Sequence, residues 1–326
     1  MARKELTIGI AIRNEERAIT LFMNSLVQAV KSLSHIMVCE TIACVNGSSD
    51  NSSQILFEMQ QNNCYNVLNL KTIQSKEGKI EAQKAILKSR SLNGRIVLID
   101  ADTILDTHCL VELWNYLVQD DSLKIVYANI IPMQKHGGKQ SFTRWIQQAH
   151  YDFPDVLTPR KYIHGRCFMF QKGRNLDEAY KYSEDNRTIG KTGYDNSLNI
   201  DRGALVDDIY LSRYFVHKYG VESIKQVQKA KIYFAPPCTL RDFYHGQRRM
   251  VLENIRMSLL FPDFEYIQAR FFKRSIQKDK LKKLKMGDQL RYLAYHFFEK
   301  SIQAIAKFAK WEKDGIWTEL RSTKIF

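Results

Sequence analysis

Arg95-Ile96-Val97-Leu98-Ile99-Asp100-Ala101-Asp102 is the stretch that decides the fold: an apolar run closed by two carboxylates one residue apart. A short apolar run bounded by polar groups reads as a buried strand. The period of two in a strand points Asp100 and Asp102 to the same face, and at a strand's end such a pair can converge on one hard divalent cation. A cation held there could neutralise a diphosphate. Asp102 also has a plainer reading as a turn cap, because isolated Asp-x-Asp pairs are common in turns, so the surrounding segments must decide.

Outward from this run the chain alternates short apolar strands with helical patterns. Leu6 to Ile12 reads as a strand, Ala18 to Leu33 as a helix and Glu40 to Val45 as a second strand, which makes a β-α-β unit. A helix over Ser52 to Gln61, a strand at Val67 to Ile73, a helix at Lys79 to Ser91, a helix at His108 to Val118 and a strand at Leu123 to Ile130 continue the rhythm. This alternation predicts an α/β fold with a mostly parallel, Rossmann-like sheet flanked by helices. Ligands of such sheets bind beyond the carboxyl ends of the strands, where Asn46, Asp100 and Asp102 fall.

After Pro132 the rhythm changes. A helix near Phe142 to His150 precedes a strand at Ile163 to Phe170, and the polar stretch Asp185 to Gly203 reads as a mobile loop. A helix over Asp208 to Tyr219 stops at Gly220, a strand follows at Lys231 to Phe234, and a long helix starts after Pro236-Pro237. Lys278 to Lys285 reads as a charged connector. The last helix, Gln289 to Trp311, carries Leu290, Leu293, Ala294, Phe297, Ile302, Ile305 and Phe308 on one apolar stripe.

Composition narrows the class of protein. The 326 residues are 44% hydrophobic and 26% charged, enough for a sizeable core, and the formal net charge is +14. The segment Glu265 to Phe326 holds 15 Lys and Arg against 7 Asp and Glu. Its basic character fits nucleic acid, an anionic membrane surface or plain solubility. Nucleic acid is not expected, because the basic groups cluster on this tail and not around an aromatic single-strand platform. No apolar run is long enough to span a bilayer and Met1 to Leu6 lacks a secretory core, so cytoplasmic residence is the expectation. The six cysteines lack metal or redox spacing and read as free thiols, mostly in the core.

Four more segments accompany Asp100-Ala101-Asp102 in a fixed order. They are Ile10-Ala11-Ile12-Arg13-Asn14-Glu15-Glu16; Val45-Asn46-Gly47-Ser48-Ser49-Asp50-Asn51-Ser52, with Glu77-Gly78-Lys79 beyond it; Val206-Asp207-Asp208-Ile209-Tyr210-Leu211; and Gly246-Gln247-Arg248-Arg249-Met250. The ordered set, spanning about Leu6 to Leu260, resembles the family 2 inverting glycosyltransferases of the GT-A fold. That resemblance implies a catalytic domain over residues 1–262 and a basic, amphipathic helical extension over 263–326. It implies transfer of a hexosyl or N-acetylhexosaminyl group from a nucleotide-diphosphate sugar, expected to be a uridine diphosphate sugar, to an acceptor hydroxyl on a glycan, a lipid-linked saccharide or a peptide.

The resemblance also assigns roles. Asp100 and Asp102 would hold Mg²⁺ or Mn²⁺, and Asp208 would be the base that takes the acceptor's proton. Ile12, Asn14, Glu15, Asn46, Lys79 and Ala101 would line the donor, with Arg249 near the diphosphate. His164, Gly165 and Asp207 would lie on the acceptor side. Three departures are visible. Ile12 or Arg13 replaces the family's proline, Asn46 stands where an Asp usually meets the nucleoside, and Gly246 and Met250 replace the Gln and Trp of the final motif. Erosion of that motif favours addition of a single sugar.

Each assignment has a structural competitor. An Asp just before a helix is a routine N-cap, so Asp207 reads as structural and Asp208 as catalytic. Ser48, Ser49 and Asp50 read as caps of the helix that follows, and Lys79 could face solvent. The last helix either packs onto the catalytic domain or lies at the inner face of a membrane, its aromatic residues beside Lys300, Lys307, Lys310 and Lys313. A nucleotidyltransferase of similar architecture and a degenerate, non-catalytic binding protein are the other readings of the whole chain.

Overall fold

The strand Lys4–Ile12 (β1) is buried on both faces from Leu6 onward because helices cover it on both sides. Leu6, Ile8, Ile10 and Ile12 enter one core, while Ala11 packs against the other. The computed structural model describes residues 4–133, 142–159, 161–186, 206–237 and 239–307. Its further strands are β2 (Met37–Val45), β3 (Leu70–Gln74), β4 (Arg95–Asp100), β5 (Thr103–Leu105), β6 (Ile125–Pro132), β7 (Cys167–Phe170) and β8 (Ile224–Phe234). They form one sheet in the order β3-β2-β1-β4-β7-β6-β8-β5. β3, β2, β1 and β4 are parallel, β7 runs antiparallel between β4 and β6, and β5 runs antiparallel at the edge beside β8.

Helices cover both faces. On one side α1 (Ile19–Lys31), α2 (Ser52–Gln61) and α4 (Cys109–Gln119) pack on a core that includes Phe22, Leu56 and Trp114. On the other, α3 (Lys79–Ser89), α6 (Gly173–Asp185) and α7 (Asp207–Tyr219) pack on a core that includes Ile86, Tyr180 and Phe215. In β4, Val97 and Ile99 face the first core and Ile96 and Leu98 the second. The period of two therefore directs Asp100 toward α3 and α7.

A third cluster joins α5 (Phe142–Asp152) to α8 (Leu240–Leu260) and, after the short helices α9 (Glu265–Ile267) and α10 (Lys278–Lys282), to α11 (Met286–Lys307). Phe243 stacks on Phe298, with ring centroids 5.5 Å apart. Arg291 pairs with Asp152 at 2.9 Å, and Gln303 donates to Gln247 at 2.9 Å. No helix among the described residues is long and apolar enough to cross a membrane.

Several expectations are corrected. β7 starts at Cys167, not Ile163, because the backbone amides of Ile163 and Gly165 are taken by the Ser212 and Asp208 side chains of α7. The helix α6 and the short strand β5 were not foreseen, and the Lys278 to Lys285 connector is partly helical. Asp185 closes α6, while 187–203 of the expected polar loop lies outside the described residues, as do Cys238, Phe308, Lys310, Trp311 and Lys313. Of the predicted stripe of α11 only Ile302 lies on its packing face, with Tyr292, Tyr295 and Ala306, whereas Leu290, Leu293, Phe297 and Ile305 are exposed. The cysteines described are free thiols, although Cys64 is exposed and Cys39 only half-buried.

Candidate active site

The carboxyl end of β4 and the N-termini of α3 and α7 meet at one point, and Lys79 is its hub. The Lys79 ammonium lies 2.6 Å from Asp100 Oδ1 and 3.0 Å from Asp207 Oδ2, and donates to the Gly165 carbonyl at 3.0 Å. Its three hydrogens are thus matched by three acceptors. Burial opposes its charge, but Asp100 and Asp207 outweigh that and raise its pKa. Lys79 is directed into the protein and not to solvent.

Asp207 is the first residue of α7, with Val206 in the N-cap position, so the expected capping role is not what its side chain does. Its carboxylate accepts from Gln83 Nε2 at 2.7 Å, and the Tyr180 hydroxyl donates to Gln83 Oε1. Gln83 lies one helical turn after Lys79, the spacing that puts both on one face of α3. A buried chain of partners therefore runs from Tyr180 through Gln83, Asp207 and Lys79 to Asp100.

Asp102 occupies the turn between β4 and β5, where Arg166 Nη1 meets its Oδ1 at 2.8 Å. Arg166 in turn stacks over Phe234, 4.6 Å from the ring centroid. Burial raises the pKa of Asp100, Asp102 and Asp207 add to the rise, and Lys79 and Arg166 oppose it. Among the described residues no three His, Cys, Asp or Glu side chains form a metal cage. Two adjacent carboxylates are what Mg²⁺ or a similar ion takes from a protein when substrate phosphates complete its shell, so Asp100 and Asp102 fit a cation shared with a diphosphate.

Asp208 stands beside this pair. Its Oδ2 accepts from the Gly165 amide at 3.2 Å and its Oδ1 from the Ile209 amide at 2.9 Å. Burial, with Asp207 next in weight, pushes its pKa up to about 6, while Lys79 and Arg249 of α8 draw it down. His164 lies in the same segment and accepts from the Arg166 amide at 3.4 Å. Arg249 is half-buried, and its charge lies near enough to Asp208 to lower that carboxyl's pKa.

The loops after β1 and β2 are clamped to each other. Asn14, at φ 54°, accepts from the Ser49 amide at 2.9 Å, and its own amide donates to Ser48 Oγ at 3.1 Å. The Glu15 amide donates to Ser52 Oγ, and the Glu16 amide to Asp50 Oδ2. Ser48 and Asp50 thus join two loops; Asn51 holds the N-cap position of α2, and Asp50 Oδ1 accepts from the amide of its first residue, Ser52, at 3.0 Å. The Asn46 amide donates to the Ile12 carbonyl, and the buried Asn46 Oδ1 has no hydrogen-bond partner among the described residues. Ile12 and Ala101 have side chains in the core, which leaves them only backbone to offer a ligand.

The structure therefore gathers Asp100, Asp102, Asp207, Asp208, Lys79, Gly165 and Arg249 in one place and ties Asn14, Glu15 and Asn46 into an adjoining pair of loops. Sequence reading missed Gln83, Tyr180 and the pairing role of Arg166. The spacing of Lys79 and Gln83 was an available signal; nothing in the chain advertised Tyr180.

The profile of Glycosyl transferase family 2 matches residues 7–175, just over half of the chain. A search of curated proteins gave no match. Among solved structures the fold is similar to a mannosyltransferase from Pyrobaculum calidifontis in complex with GDP-Man and Mn²⁺, at 13% identity and a TM-score of 0.54, covering 94% of this chain and 74% of that one. It is also similar to S. aureus TarS 1-349 in complex with UDP, at 15% identity and a TM-score of 0.47, covering 93% and 88%. A third is glucosyl-3-phosphoglycerate synthase from Mycobacterium tuberculosis with Mn²⁺, UDP-glucose and phosphoglyceric acid, at 15% and 0.44, covering 79% and 80%. The architecture is of the GT-A type, and the chain belongs to glycosyl transferase family 2.

Proposed function

We propose that the protein is an inverting, metal-dependent glycosyltransferase that moves one hexosyl or N-acetylhexosaminyl group from a UDP-sugar to an acceptor hydroxyl. The observation that carries this reading is Asp208. It is a largely buried carboxylate held by the Gly165 amide, with a pKa near 6, next to the Asp100 and Asp102 pair. A base of that strength is ionised at neutral pH and close enough to it to take a proton efficiently.

In the proposed step the acceptor oxygen attacks the sugar's anomeric carbon as the bond to the diphosphate breaks. Asp208 takes the hydroxyl proton, and the electron pair leaves with the nucleoside diphosphate. One displacement inverts the anomeric centre. A divalent cation held by Asp100 and Asp102 would neutralise the leaving diphosphate when bound. Arg249 adds positive charge on the same side, and the Asn14, Glu15 and Asn46 loops hold the nucleoside, with Asn46 Oδ1 free to accept from a base N–H. His164 and Gly165 border the acceptor. Residues 1–262 are the catalytic domain in this reading.

Calorimetric titration with UDP, GDP and CDP, each with and without Mn²⁺ or Mg²⁺, tests the reading. The expected result is metal-dependent binding of UDP that Asp102→Asn weakens. Failure of all three nucleotides to bind, with the protein folded, would overturn it.

A further inference from the structure

The exposed side of α11 is apolar along its length. Between Leu290 and Ile305 its exposed residues are Leu290, Leu293, Ala294, Phe297, Lys300, Ala304 and Ile305, so its single charge is a lysine. Phe297 is 74% and Leu290 62% exposed, and Met286 extends the stripe at its N-terminal end with 77%. This is not a face left over from loose packing. The opposite face is anchored by Tyr292, Tyr295 and Ile302, the Phe298 stack and the Arg291–Asp152 pair. A contiguous apolar stripe of this kind on an otherwise packed helix marks an interaction surface.

Charge identifies what covers it. Lys278, Lys280, Lys282, Lys283 and Lys285 immediately precede the stripe and are all exposed, with Asp279 the one exposed acid among them. An isologous contact with a second copy presses a patch against itself. Between Lys278 and Lys300 seven Lys and Arg stand against three acids, Asp279, Asp288 and Glu299, so such a contact would press positive charge on positive charge. An anionic surface that also accepts apolar side chains satisfies both features, and lipid headgroups over acyl chains are such a surface.

We propose that α11 and the lysines of 278–285 dock this protein on an anionic lipid surface, with Leu290, Leu293 and Phe297 entering the headgroup layer. The inference is independent of the catalytic reading, since none of these residues touches the site. Co-sedimentation of the full chain with phosphatidylcholine vesicles, with and without phosphatidylglycerol, tests it. Each lysine near an anionic surface is worth about fivefold in binding before salt screening. The expected result is binding to the anionic vesicles at least about tenfold tighter than to the neutral ones. Leu290→Gln/Leu293→Gln/Phe297→Gln and Lys280→Gln/Lys282→Gln/Lys283→Gln/Lys285→Gln should each lower it about tenfold or more, with nucleotide binding and Tm retained. The proposal is overturned by equal or absent binding to the two vesicle types, or by apolar-variant binding equal to wild type. A dimer in light scattering that the apolar variant dissociates would overturn it in favour of a second copy.

Discussion

The amide nitrogen of Gly165 lies 3.2 Å from Asp208 Oδ2, and a methyl group added at position 165 would stand 2.9 Å from that same oxygen. The hydrogen bond and the absence of a side chain are one device: the segment can hold the carboxylate only because nothing projects from it. Gly165→Ala should therefore displace Asp208 and lower kcat by about 10²-fold or more, the scale of a positioned base. Binding of UDP with metal should be nearly unchanged, which steady-state kinetics alongside calorimetry will read.

Asp208→Asn should abolish transfer while donor affinity stays within about twofold, since a base contributes about 10²–10⁴ in rate and touches the acceptor proton, not the nucleotide. In the wild type, kcat/KM should rise with pH through about 6 and then level, because only the ionised carboxylate accepts a proton. The stability sign is the reverse. A folded-state pKa above the ordinary carboxylate value means that the folded protein binds more protons between the two, so this contribution is full at low pH and is lost as pH rises through about 6. Asp208→Asn removes that loss, and its Tm at pH 8 should exceed that of wild type; differential scanning fluorimetry across pH checks both signs.

Removal of Lys79 leaves Asp100 and Asp207 facing each other across a largely buried site with no ammonium between them. Breaking such a pair from one side costs about 3–5 kcal/mol. Lys79→Met should lower the urea midpoint accordingly, whereas the exposed Lys76→Met should change stability by less than about 0.5 kcal/mol.

Asp102→Asn should weaken metal-dependent nucleotide binding by about tenfold or more, because one of two carboxylates for a shared cation is lost. Nucleotide binding without metal should be unaffected. Arg166, relieved of its 2.8 Å partner, provides a second readout: Arg166→Gln should shift the metal's apparent affinity without altering nucleotide affinity in its absence.

The alternating pattern from Lys4 to Pro132 was legible because strands buried on both faces are nearly continuous apolar runs, and amphipathic helices separate them. The ordered acidic motifs were legible for a related reason: each follows a strand end or opens a helix, places the chain alone marks out. The segment Ile163 to Arg166 was misread as strand because its composition fits one, yet α7 side chains claim its amides. In α11 the apolar residues outnumber what one packing face needs, so periodicity could not say which of them the neighbours would cover.

What the amino-acid sequence by itself determined, then, is the alternation of strands and helices from Lys4 to Pro132 and the positions of Asp100, Asp102 and Asp208 at element ends, because those depend on periodicities and caps spanning only a few residues. Tertiary structure decided the partnerships. Arg166 reaches Asp102 across 64 residues of chain and Gln83 reaches Asp207 across 124. Which cation neutralises which carboxylate follows from how α3, α7 and the segment before β7 meet at the end of β4, and from nothing that a window of sequence contains.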